Sequence, residues 1–107
     1  MKRVLIVAAH PDDEVLGCGA SIAKHVAEND KVRILLLGEG VTSRRKLSET
    51  RKEKMIVQLK KMTQKAARIL GVEKITTKSF PDNKFDSFPL LDIIHAIEEE
   101  MYAFNPD

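Results

Sequence analysis

Val4-Leu5-Ile6-Val7-Ala8-Ala9-His10-Pro11-Asp12-Asp13-Glu14 is the stretch whose reading decides the fold of this chain. Its first half is an uninterrupted apolar run. Such a run predicts a strand over residues 3–9 that is buried on both faces, as in a parallel sheet. Its second half carries one imidazole and a string of carboxylates into a turn, and a helical pattern opens directly after. Nitrogen and oxygen donors therefore gather at the carboxyl end of a strand, where open α/β sheets place their ligands. An imidazole with a carboxylate is a ligand set for a divalent metal. A second carboxylate beside it is placed to act as general base.

Pro11 fixes its own φ and disfavours helical geometry at His10, so the turn is stiff. Across that turn His10 and Asp13 can point to one side, with Asp12 between them. A plainer reading makes Asp12, Asp13 and Glu14 capping carboxylates at a helix N-terminus, where the dipole favours anions. For any one of them alone that is the better reading. The His10-Pro11 pair has no capping purpose, and the string as a whole points to a site.

Working outward, residues 14–28 read as a helix. Val15, Gly19, Ile22 and Val26 recur at helical steps, with Leu16, Ala23 and Ala27 alongside, and Asn29-Asp30 ends it. Lys31 to Leu37 reads as a second strand closed by the loop Gly38-Glu39-Gly40, and residues 42–48 as a polar, mobile segment. A long helix follows to Leu70, with Met55, Leu59, Met62, Ala66 and Ile69 as its inner stripe. Gly71 fits the left-handed position just past its end. A third strand lies over Lys74–Ser79, where Ile75-Thr76-Thr77 is β-branched, and Phe80-Pro81-Asp82-Asn83 is a turn. The last helix covers residues 88–103. Leu90, Ile94, Ile97 and Met101 lie on one side of it, Glu98, Glu99 and Glu100 mostly on the other, and Asn105-Pro106 breaks it.

The order β-α-β-α-β-α predicts a parallel sheet with right-handed crossovers and helices on both faces. The alternation calls for a fourth strand where Asp107 is reached. The expected architecture is α/β, a Rossmann-like three-layer sandwich with a mostly parallel sheet, truncated before that fourth strand. Residues 1–107 would form a single domain, the N-terminal portion of a larger one.

Composition sets the outer limits. The chain has 107 residues, 43% hydrophobic and 32% charged, with a formal net charge of +2, which fits a soluble globular domain and says little about partners. No apolar run approaches the ~20 residues of a membrane span. A signal peptide is the weaker reading of the Met1-Lys2-Arg3 start, because His10 to Glu14 interrupt the apolar stretch too early and no small-residue cleavage site follows. The single cysteine, Cys18, excludes an internal disulfide and suits a reducing compartment, hence a cytoplasmic location. The long middle helix is basic, with Lys46, Arg51, Lys52, Lys54, Lys60, Lys61, Lys65 and Arg68 against Glu49 and Glu53. It lacks interleaved aromatic residues. A solvated face is the preferred reading over a nucleic-acid surface.

Gly17 and Gly19 flank Cys18 in the first turns of the opening helix, at a cost of about 1 kcal/mol each against alanine. Close approach of a substrate or a neighbouring backbone, or close helix–sheet packing, would account for them equally well. Cys18 reads as a small core residue. His25 and His95 read as surface or packing residues.

Ala9-His10-Pro11-Asp12-Asp13-Glu14 followed by Val15-Leu16-Gly17-Cys18-Gly19-Ala20 resembles the opening of the PIG-L/LmbE-like deacetylases. Gly38 to Arg44, Ala66 to Val72 and Phe80 to Asp86 resemble later landmarks of the same family, so the resemblance covers essentially the whole chain. Members of that family are zinc-dependent hydrolases that remove acyl groups from N-acylated amino sugars and related amides. The resemblance implies His10 and Asp13 as metal ligands and Asp12 as the general base. It implies Arg44, Arg51 and Asp82 as residues that hold the sugar. It also implies a third zinc ligand, a histidine just after the fourth strand, which a Pro-Asp pair like Pro106-Asp107 introduces. The metal would be Zn2+, with iron or manganese as other divalent options, and the substrate an N-acylated amino-sugar-type small molecule.

The leading expectation is a metal-dependent N-deacetylase, incomplete in this chain. A non-catalytic remnant or partner-binding fragment of the same fold is a second possibility. A phosphoacceptor receiver-like module is a third, with Asp82 as its late-placed acceptor. Without a fourth strand the first strand would present a bare apolar edge, and self-association or a partner chain is expected there.

Overall fold

The computed structural model describes residues 1–38, 48–80 and 89–107. The polar segment expected at 42–48 lies outside them except for Ser48, and so does the turn at Pro81–Asn83. The elements alternate as expected: β1 (Arg3–Ala8), α1 (Asp13–Ala27), β2 (Lys31–Gly38), α2 (Glu49–Leu70), β3 (Lys74–Phe80) and α3 (Leu90–Phe104). The strands form one sheet in the order β1-β2-β3. Both pairings are parallel, with Ile6 opposite Ile34 and Ile34 opposite Ile75.

Side chains alternate across a strand, so β2 feeds both layers of the core. Val32, Ile34 and Leu36 face α1 and pack with Ile22, and this cluster gathers Val4, Ile6, Cys18, Val26, Leu70 and Ile75 around it. Full burial of each large aliphatic in it contributes about 1.5–3 kcal/mol. On the other face Arg33 lies over the Phe104 ring, 4.4 Å from its centroid. Its Nε donates to Glu73 Oε2 at 2.7 Å, so α3 covers that face. Cys18 is packed against the core, as expected.

The helix ends follow local chemistry. Ser48 Oγ accepts the Arg51 N–H and opens α2, and Gly71 closes it at φ 82°. Asn29 at φ 64° and Asn105 at φ 52° turn the chain out of α1 and α3. Both are residues that tolerate the left-handed region.

Several expected faces are displaced. In α2, Thr63 and Ala67 are buried while Met62 is 63% and Ile69 is 77% exposed. The contact runs one position around the helix from the bulky stripe, because small side chains let the helix lie close on its neighbours. In α3 the buried residues are Ala96 and Phe104, with Leu90 and Met101 outside. In α1, Leu16, Ala23 and Ala27 face solvent.

β1 is also not buried on both faces; Val7 is 42% exposed. Among the described strands it pairs only with β2 and forms a sheet edge. The Arg3 N–H donates to Asp107 Oδ2 at 2.7 Å, and the Asp107 N–H donates to the Arg3 carbonyl at 2.9 Å. Both Arg3 groups thus point away from β2, while the Lys2 carbonyl accepts from Lys31 of β2. By alternation the peptide groups of Leu5 and Val7 also face the open edge.

Candidate functional site

β1 ends at Ala8, and the Ala9 carbonyl still accepts the Gly38 N–H at 2.8 Å, so β2 anchors the chain up to the motif. The backbone then turns: the Asp13 N–H donates to the His10 carbonyl at 3.2 Å. In return, Asp13 Oδ2 accepts the His10 N–H at 3.1 Å. The same oxygen lies 3.5 Å from His10 Nδ1. Imidazole and carboxylate are therefore brought to one side of the turn, as their spacing across Pro11 predicts.

Asp12 stands between them at φ 84°, in the left-handed region, and its side chain makes no capping hydrogen bond. An aspartate held there is strained, and such strain gathers at functional positions. None of the three carboxylates serves as a conventional cap. Asp12 makes no cap bond, Asp13 turns back onto His10, and Glu14 is buried at 2% exposure.

Glu14 is the feature that sequence reasoning missed. Its Oε2 has no hydrogen-bond partner among the described residues. Burial raises its carboxyl above the ordinary range, and the neighbouring Asp12 and Asp13 push it the same way. The signal was available in the helical period, since Glu14 lies one turn before the inward-facing Cys18.

Two donors fit a metal here. Ligands about 2.1 Å from a tetrahedral zinc lie about 3.4 Å from one another, close to the separation of His10 Nδ1 and Asp13 Oδ2. Among the described residues, a convergence of three donors occurs elsewhere. His25, Glu28 and Asp30 bring ligand atoms within 4.8 Å of one another at the far end of α1. There His25 Nδ1 meets Asp30 Oδ2 at 2.8 Å, and Asp30 Oδ1 accepts the Lys2 N–H at 2.7 Å. Both carboxylate oxygens are engaged in tying α1 to the start of β1, a packing role of the kind the sequence suggested for His25. His95 is exposed on α3.

Arg51 stands exposed in the first turn of α2, beside a groove of about 590 Å³ that also touches Met55 and Gln58. Arg44 and Asp82 lie outside the described residues. A Cβ on Gly17 would meet nothing within 4 Å, and one on Gly19 would meet only Val15 Cγ1 at 3.8 Å. Neither close helix–sheet packing nor the approach of a neighbouring backbone accounts for these glycines among the described residues.

A parallel three-stranded α/β sheet with its polar motif at the end of β1 defines the class. The chain matches the GlcNAc-PI de-N-acetylase (PIG-L) family over residues 5–107, and it belongs to that family. This membership sets aside the phosphoacceptor reading.

A 1D-myo-inositol 2-acetamido-2-deoxy-alpha-D-glucopyranoside deacetylase of Geodermatophilus obscurus is 50% identical over 40 residues, 36% of this chain and 14% of that protein. The uncharacterized deacetylase YaiS of Escherichia coli is 28% identical over 98 residues, 92% of this chain and 48% of the relative. The chain thus spans less than half the length of these curated relatives. Among solved structures, the N,N'-diacetylchitobiose deacetylase of Pyrococcus horikoshii in complex with its inhibitor MPG superposes with a TM-score of 0.65 at 31% identity. That match covers 76% of this chain and 30% of the deacetylase. The 4-carboxy-2-hydroxymuconate hydratase GalB of Pseudomonas putida KT2440 superposes at 0.81 over 99% of this chain and 45% of the hydratase. Its 20% identity speaks for the fold alone. No helix among the described residues is long and apolar enough to cross a membrane.

Proposed function

We propose that this chain carries the front half of the catalytic site of an N-deacetylase acting on N-acylated amino sugars. His10 and Asp13 hold a divalent cation, zinc by the nature of the donors, and Asp12 is the general base. The observation that carries this reading is the 3.5 Å approach of His10 Nδ1 to Asp13 Oδ2 at the end of β1. The family and its deacetylase relatives support the reaction class.

A zinc ion bound there would lower the pKa of its water toward 7 and polarise the amide carbonyl. Asp12, exposed and held between the two ligands, takes the proton of the attacking water as its oxygen bonds to the carbonyl carbon. It then gives that proton to the departing nitrogen as the C–N bond breaks, leaving a carboxylic acid that keeps the water's second proton, and a free amine. Asp13, anchored through the His10 N–H, keeps the imidazole and its own carboxylate in register. Arg44, Arg51 and Asp82 hold the sugar hydroxyls in this proposal. Catalytic zinc takes three protein ligands, and we place the third, a histidine, beyond Asp107, with residues 1–107 as the first portion of the domain.

Calorimetric titration with zinc tests the assignment. His10→Ala should weaken binding by about a hundredfold or more, since losing a ligand costs at least as much as losing the hydrogen-bond partner that orients one, and His25→Ala should leave it unchanged. The reverse pattern would move the metal to the far end of α1. A second reading is a non-catalytic, partner-binding form of the fold. Acetate release from N-acetylglucosamine conjugates separates the two. Activity in a version extended past Asp107 supports the deacetylase, and inactivity of both forms supports the second reading.

A further inference from the structure

We infer that the solvent face of α2 is a docking surface for an anionic lipid bilayer. From Lys54 to Leu70 the helix carries no acidic residue. At about 100° per residue, Lys54, Lys61, Lys65 and Arg68 fall on one outward strip, with Arg51 on its border. All of these are exposed. Among the described residues none of them forms an ion pair; the Glu49 carboxylate of the first turn goes instead to Lys52, on the inner flank.

The same arc carries three large aliphatic side chains that the core does not use. Val57 is 54%, Met62 is 63% and Ile69 is 77% exposed. Together the cations and the aliphatics occupy roughly 140° of the helix surface over about 27 Å of its length. Val57 borders the cationic strip on one side and Met62 and Ile69 border it on the other, and a merely solvated face gains nothing from flanking aliphatics of this size.

Charge complementarity selects a polyanion, and the apolar component selects among polyanions. A single-stranded nucleic acid is gripped by stacking its bases on aromatic rings, and α2 has no Phe, Tyr or Trp. A bilayer rewards both parts at once. Cations meet the negative headgroups while aliphatic side chains enter the boundary with the acyl chains, the arrangement of a helix lying in the plane of the interface. With so few apolar side chains the contact is reversible and sensitive to salt. The inference rests on α2 alone. A chain that failed to bind zinc would still dock.

Co-sedimentation of the 107-residue chain with lipid vesicles tests it. Vesicles of phosphatidylserine and phosphatidylcholine in equal parts should retain about tenfold more protein than vesicles of phosphatidylcholine alone, and raised salt should release it. The Lys54→Glu/Lys61→Glu/Lys65→Glu triple variant should lose about tenfold in binding. Met62→Ser/Ile69→Ser should lose severalfold at unchanged charge. All these positions are exposed, so circular dichroism should report an unchanged fold, and the corresponding Gln triple variant serves if the charge reversal perturbs it. Equal retention on both vesicle types would overturn the inference. So would undiminished binding by either the charge variants or the aliphatic variant, or complete displacement from the vesicles by single-stranded polyuridine.

Discussion

His10 and Asp13 grip each other through backbone and side chain together. The Asp13 N–H donates to the His10 carbonyl, the His10 N–H donates to Asp13 Oδ2, and that oxygen lies 3.5 Å from His10 Nδ1. The helix N-terminus is therefore built around the motif. A single substitution at either residue disturbs both a turn and a candidate ligand. Asp13→Asn keeps an oxygen that can accept the His10 N–H but removes the one charged donor of the ligand pair. It should retain most of the stability while zinc affinity falls about tenfold or more, read by urea midpoints and by calorimetry.

Asp12 is strained at φ 84° and makes no cap bond. Glycine adopts that region without penalty and serves as an N-cap. Asp12→Gly should therefore raise stability by about 1 kcal/mol, seen as a higher urea midpoint. Acetate release by the extended chain should collapse because the base is gone. A variant that lost stability and kept activity would contradict both roles.

Glu14 holds a carboxylate in the interior with one oxygen lacking a partner among the described residues. Removing a buried, incompletely paired polar group stabilises. Glu14→Leu should therefore gain about 1–3 kcal/mol at neutral pH. A loss of stability in urea titration would show that the carboxyl has a partner that matters.

Asp30 is held below the ordinary carboxyl range, first by its hydrogen bond with His25 and then by the Lys2 N–H. A carboxyl depressed on folding stabilises the native state above its unfolded pKa, near 3.8. That contribution is lost as pH falls through the lower, folded value. Asp30→Asn should lower the urea midpoint at pH near 7 and flatten the acid limb of the stability curve below pH about 4.

Gly71 takes φ 82°, and a Cβ there would come 2.7 Å from Val26 Cγ1. Gly71→Ala should cost about 2–4 kcal/mol, combining the left-handed penalty with overpacking. Adding Val26→Ala should relieve the clash and leave the backbone penalty. The double variant should therefore be more stable than the sum of the two single changes implies.

The element order and most boundaries were legible because β1 is an unbroken apolar run, β2 is an apolar run interrupted at Arg33, and Gly71 and Asn105 end their helices by backbone chemistry alone. The helix faces were less legible. α2 has apolar residues at nearly every angle, so Met62 and Ile69 looked as inward as Leu59. Only packing shows that Thr63 and Ala67 make the close contacts. At the site, the His10–Asp13 pairing followed from the stiff turn at Pro11. The inward rotation of Glu14 was signalled only by its helical spacing from Cys18, against the habit of a carboxylate in a first helical turn to face water.

β1 carries the motif at one end and, among the described strands, is one of the two edges of the sheet, with β2 as its one neighbour. A margin supported from one flank opens more readily than a strand held from both, and here the opening would travel straight to the imidazole. Whatever segment comes to lie against Leu5 and Val7, from the same polypeptide or another copy, would therefore steady the grip on the cation. Occupancy of that border and affinity for metal should rise and fall together.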